Sequence, residues 1–177
     1  MEYRNDMLYD GGHIIVYMGQ HSSDVVILED GSLKFTRNIK IGGQHIMDVF
    51  QDALRVEEGK TLDVDELESF EVPSDQELYA QQILNEVAVD IEHTVHFAKA
   101  QEQRSDIHIN KIVLTGFGVW PKNLDVLLSE RMRLPVIKAN PFGYEFPTLT
   151  NVQPNEVCEM PSAYTAAFGL ALEGLGE

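Results

Sequence analysis

Apolar residues along this chain gather in short blocks, and the spacing inside those blocks changes from one region to the next. Residues 14–18 (IIVYM) and 24–28 (DVVIL) are apolar runs of strand length, the first closed by Gly19. Glu29-Asp30-Gly31 separates the second run from Leu33-Lys34-Phe35, and Asp-Gly tolerates the left-handed angles that a hairpin turn needs. A third strand is predicted over residues 32–39, with Leu33, Phe35 and Arg37 sharing one face. Three strands joined by tight connections make an antiparallel meander.

After Ile41-Gly42-Gly43 the period becomes helical: Ile46, Val49, Phe50, Ala53 and Leu54 recur at helix spacing. Residues 57–77 then hold nine acids and one lysine, with isolated apolar positions. They read as an exposed excursion or a reduced inserted subdomain over 57–73, with a short helix near 63–69. Ser74 followed by Glu77 is a capping-box pattern that opens a long helix over about 75–102. Leu84, Val87, Ala88, Ile91, Val95 and Ala98 line one side of it. A strand at 111–115, a helix at 123–132 and a strand at 134–138 come next, a parallel crossover that is right-handed by rule. The chain over 140–159 reads as surface. Pro161 then opens a closing helix whose predicted packing face is Met160, Tyr164, Ala167, Phe168 and Ala171.

The order β-β-β-α, excursion, α-β-α-β-α predicts one domain over residues 1–177 of the α/β class. Its core is a five-stranded mixed sheet flanked by helices, the ribonuclease-H-like layer plan. With 177 residues and 44% hydrophobic content, the chain can fill such a core without disulfides or metals.

Charge narrows the function classes. Twenty-nine acids against 13 Lys plus Arg give a net charge of -16, which repels nucleic-acid backbones and anionic membrane surfaces. A partner with a basic face suits it better. Cys158 is the only cysteine, so the chain forms no internal disulfide and no thiolate cluster. No apolar run reaches the length of a membrane span, so direct membrane insertion is not expected, and the cytoplasm is the default location.

Several segments, in order, resemble the actin-like ATPases. Residues 15–27 (IVYMGQHSSDVVI) resemble their second phosphate loop, and are nearest to the type IV pilus assembly PilM and cell-division FtsA family. Residues 35–43 (FTRNIKIGG) continue the likeness through a double glycine into a helix. Residues 112–119 (IVLTGFGV) look like the adenosine loop, and Leu134-Pro135-Val136 and the ending AAFGLAL match in kind and order. The resemblance covers most of the chain apart from the acidic excursion. It implies the second lobe of a two-lobed protein, with the first lobe and its own phosphate loop expected before Met1.

By this resemblance the cofactor-binding candidates are Gly19, Ser22 and Ser23 in the phosphate loop, and Gly116, Phe117 and Gly118 in the adenosine loop. ATP with magnesium would be held only in a two-lobed form. The motifs also depart from the family. Its Asp-x-Gly aspartate is replaced by Tyr17, and a phenol does not substitute for a carboxylate as a metal partner. Phe117 stands between Gly116 and Gly118 where the family favours glycine. No Walker-type loop is present. No catalytic residue and no metal site is assigned: His93 and His96 lack a third ligand of the usual kind, and Asp63-Val64-Asp65-Glu66 lacks calcium-loop spacing.

The implied function is a cytoplasmic scaffold or protein-interaction module of a type IV pilus or related secretion platform, with weak or lost nucleotide binding. It would sit at the inner membrane through its partners. In the family that partner is PilN, an inner-membrane protein whose cytoplasmic tail is bound mostly on the first-lobe side. The alternative is an ATP-binding or ATP-hydrolysing lobe of a larger actin-like protein. A homo-oligomer is a third expectation.

Overall fold

A computed structural model of the chain describes residues 11–45, 48, 77–101, 108–116, 124–141 and 161–175. The predicted excursion over 57–73, the helix at 63–69 and the Ser74 cap lie outside the described residues. So does most of the surface chain over 140–159. Of the helix predicted after Gly43, residues 43–45 and 48 are described and are helical.

Five strands form one sheet: β1 Gly12–Met18, β2 Ser23–Glu29, β3 Ser32–Ile39, β4 Ile109–Gly116 and β5 Val136–Lys138. Their spatial order is β3-β2-β1-β4-β5. β1, β2 and β3 pair antiparallel, while β4 joins β1 and β5 joins β4 in parallel. Three helices complete the described fold: α1 Glu77–Gln101, α2 Leu124–Met132 and α3 Thr165–Leu175, the last entered through a 3-10 turn, Pro161–Tyr164.

Local chemistry explains the meander. Asp30 and Gly31 have φ of 49° and 73°, the paired left-handed angles of a two-residue hairpin turn whose twist suits the flanking strands. The Gly11 N–H donates to the Asp30 carboxylate at 3.0 Å, and the Asp30 N–H donates to the Gly11 carbonyl at 3.1 Å. A bulge interrupts the β2–β3 pair, where Phe35 lies opposite Ile27 but Leu33 lies opposite Leu28. Adjacent strand residues face opposite ways, so this corrects the prediction that Leu33 and Phe35 share a face. Phe35 packs against the core, and Leu33 is 63% exposed.

The core lies on one side of the sheet. Ile14, Val16 and Met18 of β1, Val25 and Ile27 of β2, and Ile112 and Leu114 of β4 are completely buried there. Val87, Ala88 and Ile91 of α1 and Leu124 and Leu128 of α2 meet them, also completely buried. This is the predicted stripe of each helix. Removing a side chain the size of leucine or isoleucine from water contributes about 1.5–3 kcal/mol. Phe97 of α1 meets Phe35 edge-on with ring centroids 5.9 Å apart, which carries the layer out to the β3 edge.

Among the described residues the opposite side is more thinly covered. The 3-10 turn and α3 lie over β4, where the Thr115 hydroxyl donates to the Ser162 carbonyl at 3.2 Å. Here the predicted packing face of the closing helix is corrected. Ala167, Ala171 and Tyr164 are exposed, while Ser162 is buried and Thr165 and Phe168 are half-buried. Met160 lies outside the described residues. Nearly every position of this helix is apolar or small, so the pattern carries no phase, and the tighter 3-10 turn rotates the helix that it leads into.

Candidate functional site

Parallel pairing of β1 with β4 ends with Met18 opposite Gly116, so the Gly19 turn and the carboxyl end of β4 at Gly116 lie side by side at one rim of the sheet. Gly116 has φ of +102°, and a Cβ there would stand 2.4 Å from the Met18 carbonyl oxygen and 2.8 Å from its nitrogen. Only glycine allows the two strand ends to come this close. Phe117 and Gly118 lie outside the described residues.

The Gly19–Ser22 turn joins β1 to β2, and its Gly19 N–H donates to the Ser22 carbonyl at 2.9 Å. Two further amides close on it from outside. The Gly43 N–H donates to the Gly19 carbonyl at 2.9 Å, and the Gln44 N–H donates to the Gln20 carbonyl at 2.8 Å. These are the opening amides of the helical residues 43–45, groups that often serve anions but here face carbonyls of the turn. Gly42 makes the approach possible: a Cβ there would lie 2.5 Å from the Gln20 oxygen, the His21 carbonyl carbon and the Ser22 nitrogen.

The serines divide. Ser23 is buried, and its hydroxyl donates to the Ile41 carbonyl at 2.6 Å. Ser22 is half-buried, and its hydroxyl oxygen accepts from Asn38 Nδ2 at 3.1 Å. The same Asn38 amide donates to Asp24 Oδ1 at 2.8 Å. Tyr17, 36% exposed, lies between Asp24 on β2 and Thr115 on β4.

As a phosphate cradle these groups fit poorly. The Gly19 amide and the Ser23 hydroxyl already have backbone acceptors, as do the Gly43 and Gln44 amides, and the metal-partner position is a phenol. Among the described residues no group of three His, Cys, Asp or Glu converges as a metal site. Glu92, beside the two helix histidines, meets Arg131 of α2 at 3.0 Å and His96 at 3.9 Å, which ties α1 to α2.

Sequence reasoning placed Gly19, Ser22, Ser23 and Gly116 at one rim of the sheet, and the pairing of Met18 with Gly116 brings Gly19 beside Gly116 there. It read Gly42 only as part of the double glycine that leads into a helix, and it missed Asn38. The double glycine leading into a helix was the available signal for the first. Nothing in the local pattern marks the second.

A family model described as type IV pilus assembly protein PilM matches residues 6–175. The chain belongs to this family. Among solved structures it is similar to PilM in the PilM–PilN type IV pilus biogenesis complex, with a TM-score of 0.70 and 16% identity over 95% of this chain and 47% of that one. It is also similar to the ethanolamine utilization protein EutJ from Carboxydothermus hydrogenoformans, with a TM-score of 0.58 and 14% identity over 93% of this chain and 48% of EutJ. The apo pSK41 ParM protein matches with a TM-score of 0.50 and 12% identity over 100% of this chain and 47% of its own. These likenesses show the actin-like fold. The PilM-family chain described here spans less than half the length of each. No curated protein sequence matches it.

Proposed function

We propose that this PilM-family chain is a protein-interaction lobe of a type IV pilus or related secretion assembly platform, working in the cytoplasm at the inner membrane through its partners, with weak or no nucleotide binding. The observation that carries the second half of this reading is the inward commitment of the phosphate-loop groups. The Gly19 amide, the Ser23 hydroxyl and the Gly43 and Gln44 amides are all engaged within the protein. A phosphate would have to break those bonds, and each buried group left unmatched costs about 1–3 kcal/mol. Tyr17 adds no negative charge to orient magnesium. The partner reading rests on family membership and on the solved PilM–PilN complex.

Calorimetric titration of ATP with magnesium into the 177-residue chain tests this. The expected result is no saturable heat at millimolar nucleotide. Micromolar affinity, or hydrolysis by the chain alone, overturns the reading. The adjacency of the Gly19 turn and the end of β4 at Gly116 favours a second reading, a lobe that binds ATP within a longer actin-like protein. That reading requires tight binding by a longer form of the chain and its loss in Gly19→Val.

A further inference from the structure

In a chain of net charge -16, β3 runs against the trend. Lys34, Arg37 and Lys40 fall on or just past this strand, and no acid occurs between Asp30 and Asp48. Lys34 is paired with Glu29 of β2 at 3.4 Å. Arg37 and Lys40 are exposed and meet no carboxylate among the described residues.

β3 is also an edge. Among the described residues it is the outermost strand and pairs only with β2, so one row of its backbone N–H and C=O groups has no partner strand there. Ser32, Leu33, Thr36, Arg37 and Asn38 are exposed. The other edge strand, β5, has three residues against the eight of β3 and offers a much shorter template. The bulge at Lys34 disturbs the hairpin end, and Phe35 to Ile39 then keep an unbroken register with β2. Phe35 and Arg37 lie opposite Ile27 and Val25, whose side chains are buried on the α1 side of the sheet, so both stand on that side. There Phe97 of α1, 49% exposed, meets Phe35 edge-on and makes an apolar shelf along the same edge.

A bare edge invites a further strand, and charge decides which one. A second copy of β3 would bring Lys34, Arg37 and Lys40 against their own kind, together with another -16 of net charge. The same cations favour a strand that carries carboxylates, while the backbone ladder supplies affinity whatever its sequence. The shelf at Phe97 adds a place for an apolar side chain of the incoming strand.

We propose that the outer edge of β3 takes an extended acidic segment of a partner protein as an added strand, with Arg37 and Lys40 meeting its carboxylates and Phe97 an apolar residue. This gives a surface and a partner chemistry to the protein-interaction role, and it rests on that reading.

The test is fluorescence anisotropy of a labelled nine-residue peptide against the full 177-residue chain. The peptide repeats two valines and two glutamates, which sets both residue types on each face of a strand. At about 0.1 M salt charges further off than about 10 Å are screened, so the reading is local. Saturable binding that weakens with added salt is expected. The double variant Arg37→Glu with Lys40→Glu should weaken it about tenfold or more, with circular dichroism showing the chain folded. Arg133→Glu with Lys138→Glu changes net charge equally at exposed positions near the other edge of the sheet and should leave binding unchanged. Lysine in place of the glutamates, or methylation of every peptide nitrogen, should abolish it. No saturable binding overturns the proposal while leaving the protein-interaction reading intact, because that reading names no surface. Equal loss in the two double variants, or undiminished binding by the lysine or methylated peptide, overturns it as well. Self-association of the chain through this edge, removed by the β3 variant and without peptide binding, would assign the edge to a second copy and overturn it too.

Discussion

The two ends of the chain's helical complement, α1 and α3, lie on opposite faces of one sheet and solve opposite problems. α1 carries charge on one side and an apolar stripe on the other, and the stripe is fully used: Val87, Ala88 and Ile91 have no exposed surface. α3 is apolar nearly all round, yet most of its described side chains face water. The first helix is finished by its own chain. The second has the surface of a buried helix without enough of the described protein around it. Amphipathic pattern therefore reports what a lobe does for itself, and apolarity in excess of burial reports what it does with something else.

The sharpest way to break this comparison is to remove equal apolar bulk from each helix. Ile91→Ala leaves a cavity in the closed layer and should cost about 2–5 kcal/mol in urea unfolding. Leu170→Ala, at a side chain 69% exposed, should change stability by no more than about 0.5 kcal/mol. Similar costs for the two would mean that α3 is packed as tightly as α1, and the contrast would fail. Next in size is Gly116→Ala. The left-handed φ and the 2.4 Å approach to the Met18 carbonyl make a methyl group costly there, by about 1–3 kcal/mol. Thermal unfolding reads that cost, and a neutral result would show that the ends of β1 and β4 part freely.

Where the chain states its period strongly, the sequence was enough. Asp30-Gly31 marks its turn because both residues accept left-handed angles, and the α1 stripe and Leu124 and Leu128 of α2 mark their buried faces by spacing. The rim that joins Gly19 to Gly116 was legible too, since a meander leading into a parallel crossover sets β4 beside β1. Three features were not. The bulge near Lys34 has no residue type that announces it. The phase of α3 is undefined because its residues are nearly uniform. The contacts from Asn38 to Ser22, from Gly42 to the 19–22 turn and from Thr115 to Ser162 join positions 16 or more residues apart, through backbone or small polar groups that leave no periodic trace.

One of those contacts gives the next prediction. Thr115→Val keeps the shape at the end of β4 and removes the donor to Ser162, which still accepts the Thr165 hydroxyl at 2.9 Å. Because the carbonyl keeps one partner, the loss should be about 1 kcal/mol. It should appear in hydrogen exchange as faster opening of α3 amides, with α1 amides unchanged. Equal loosening of both helices would mean that the two faces are not independent.

The smallest effect belongs to the polar tie on the well-packed side. Arg131 and Glu92 join α2 to α1 at 3.0 Å, but their side chains are 34% and 33% exposed, so water screens the pair. Arg131→Gln should cost about 0–1 kcal/mol, and the difference from the parent should shrink at high salt. α1 already has its stripe closed against the sheet, so the ion pair adds register and little else. Were Arg131→Gln to cost more than Thr115→Val in the same urea series, the hold on α1 would depend on charge, and the contrast between α1 and α3 would have to be redrawn around the polar contacts.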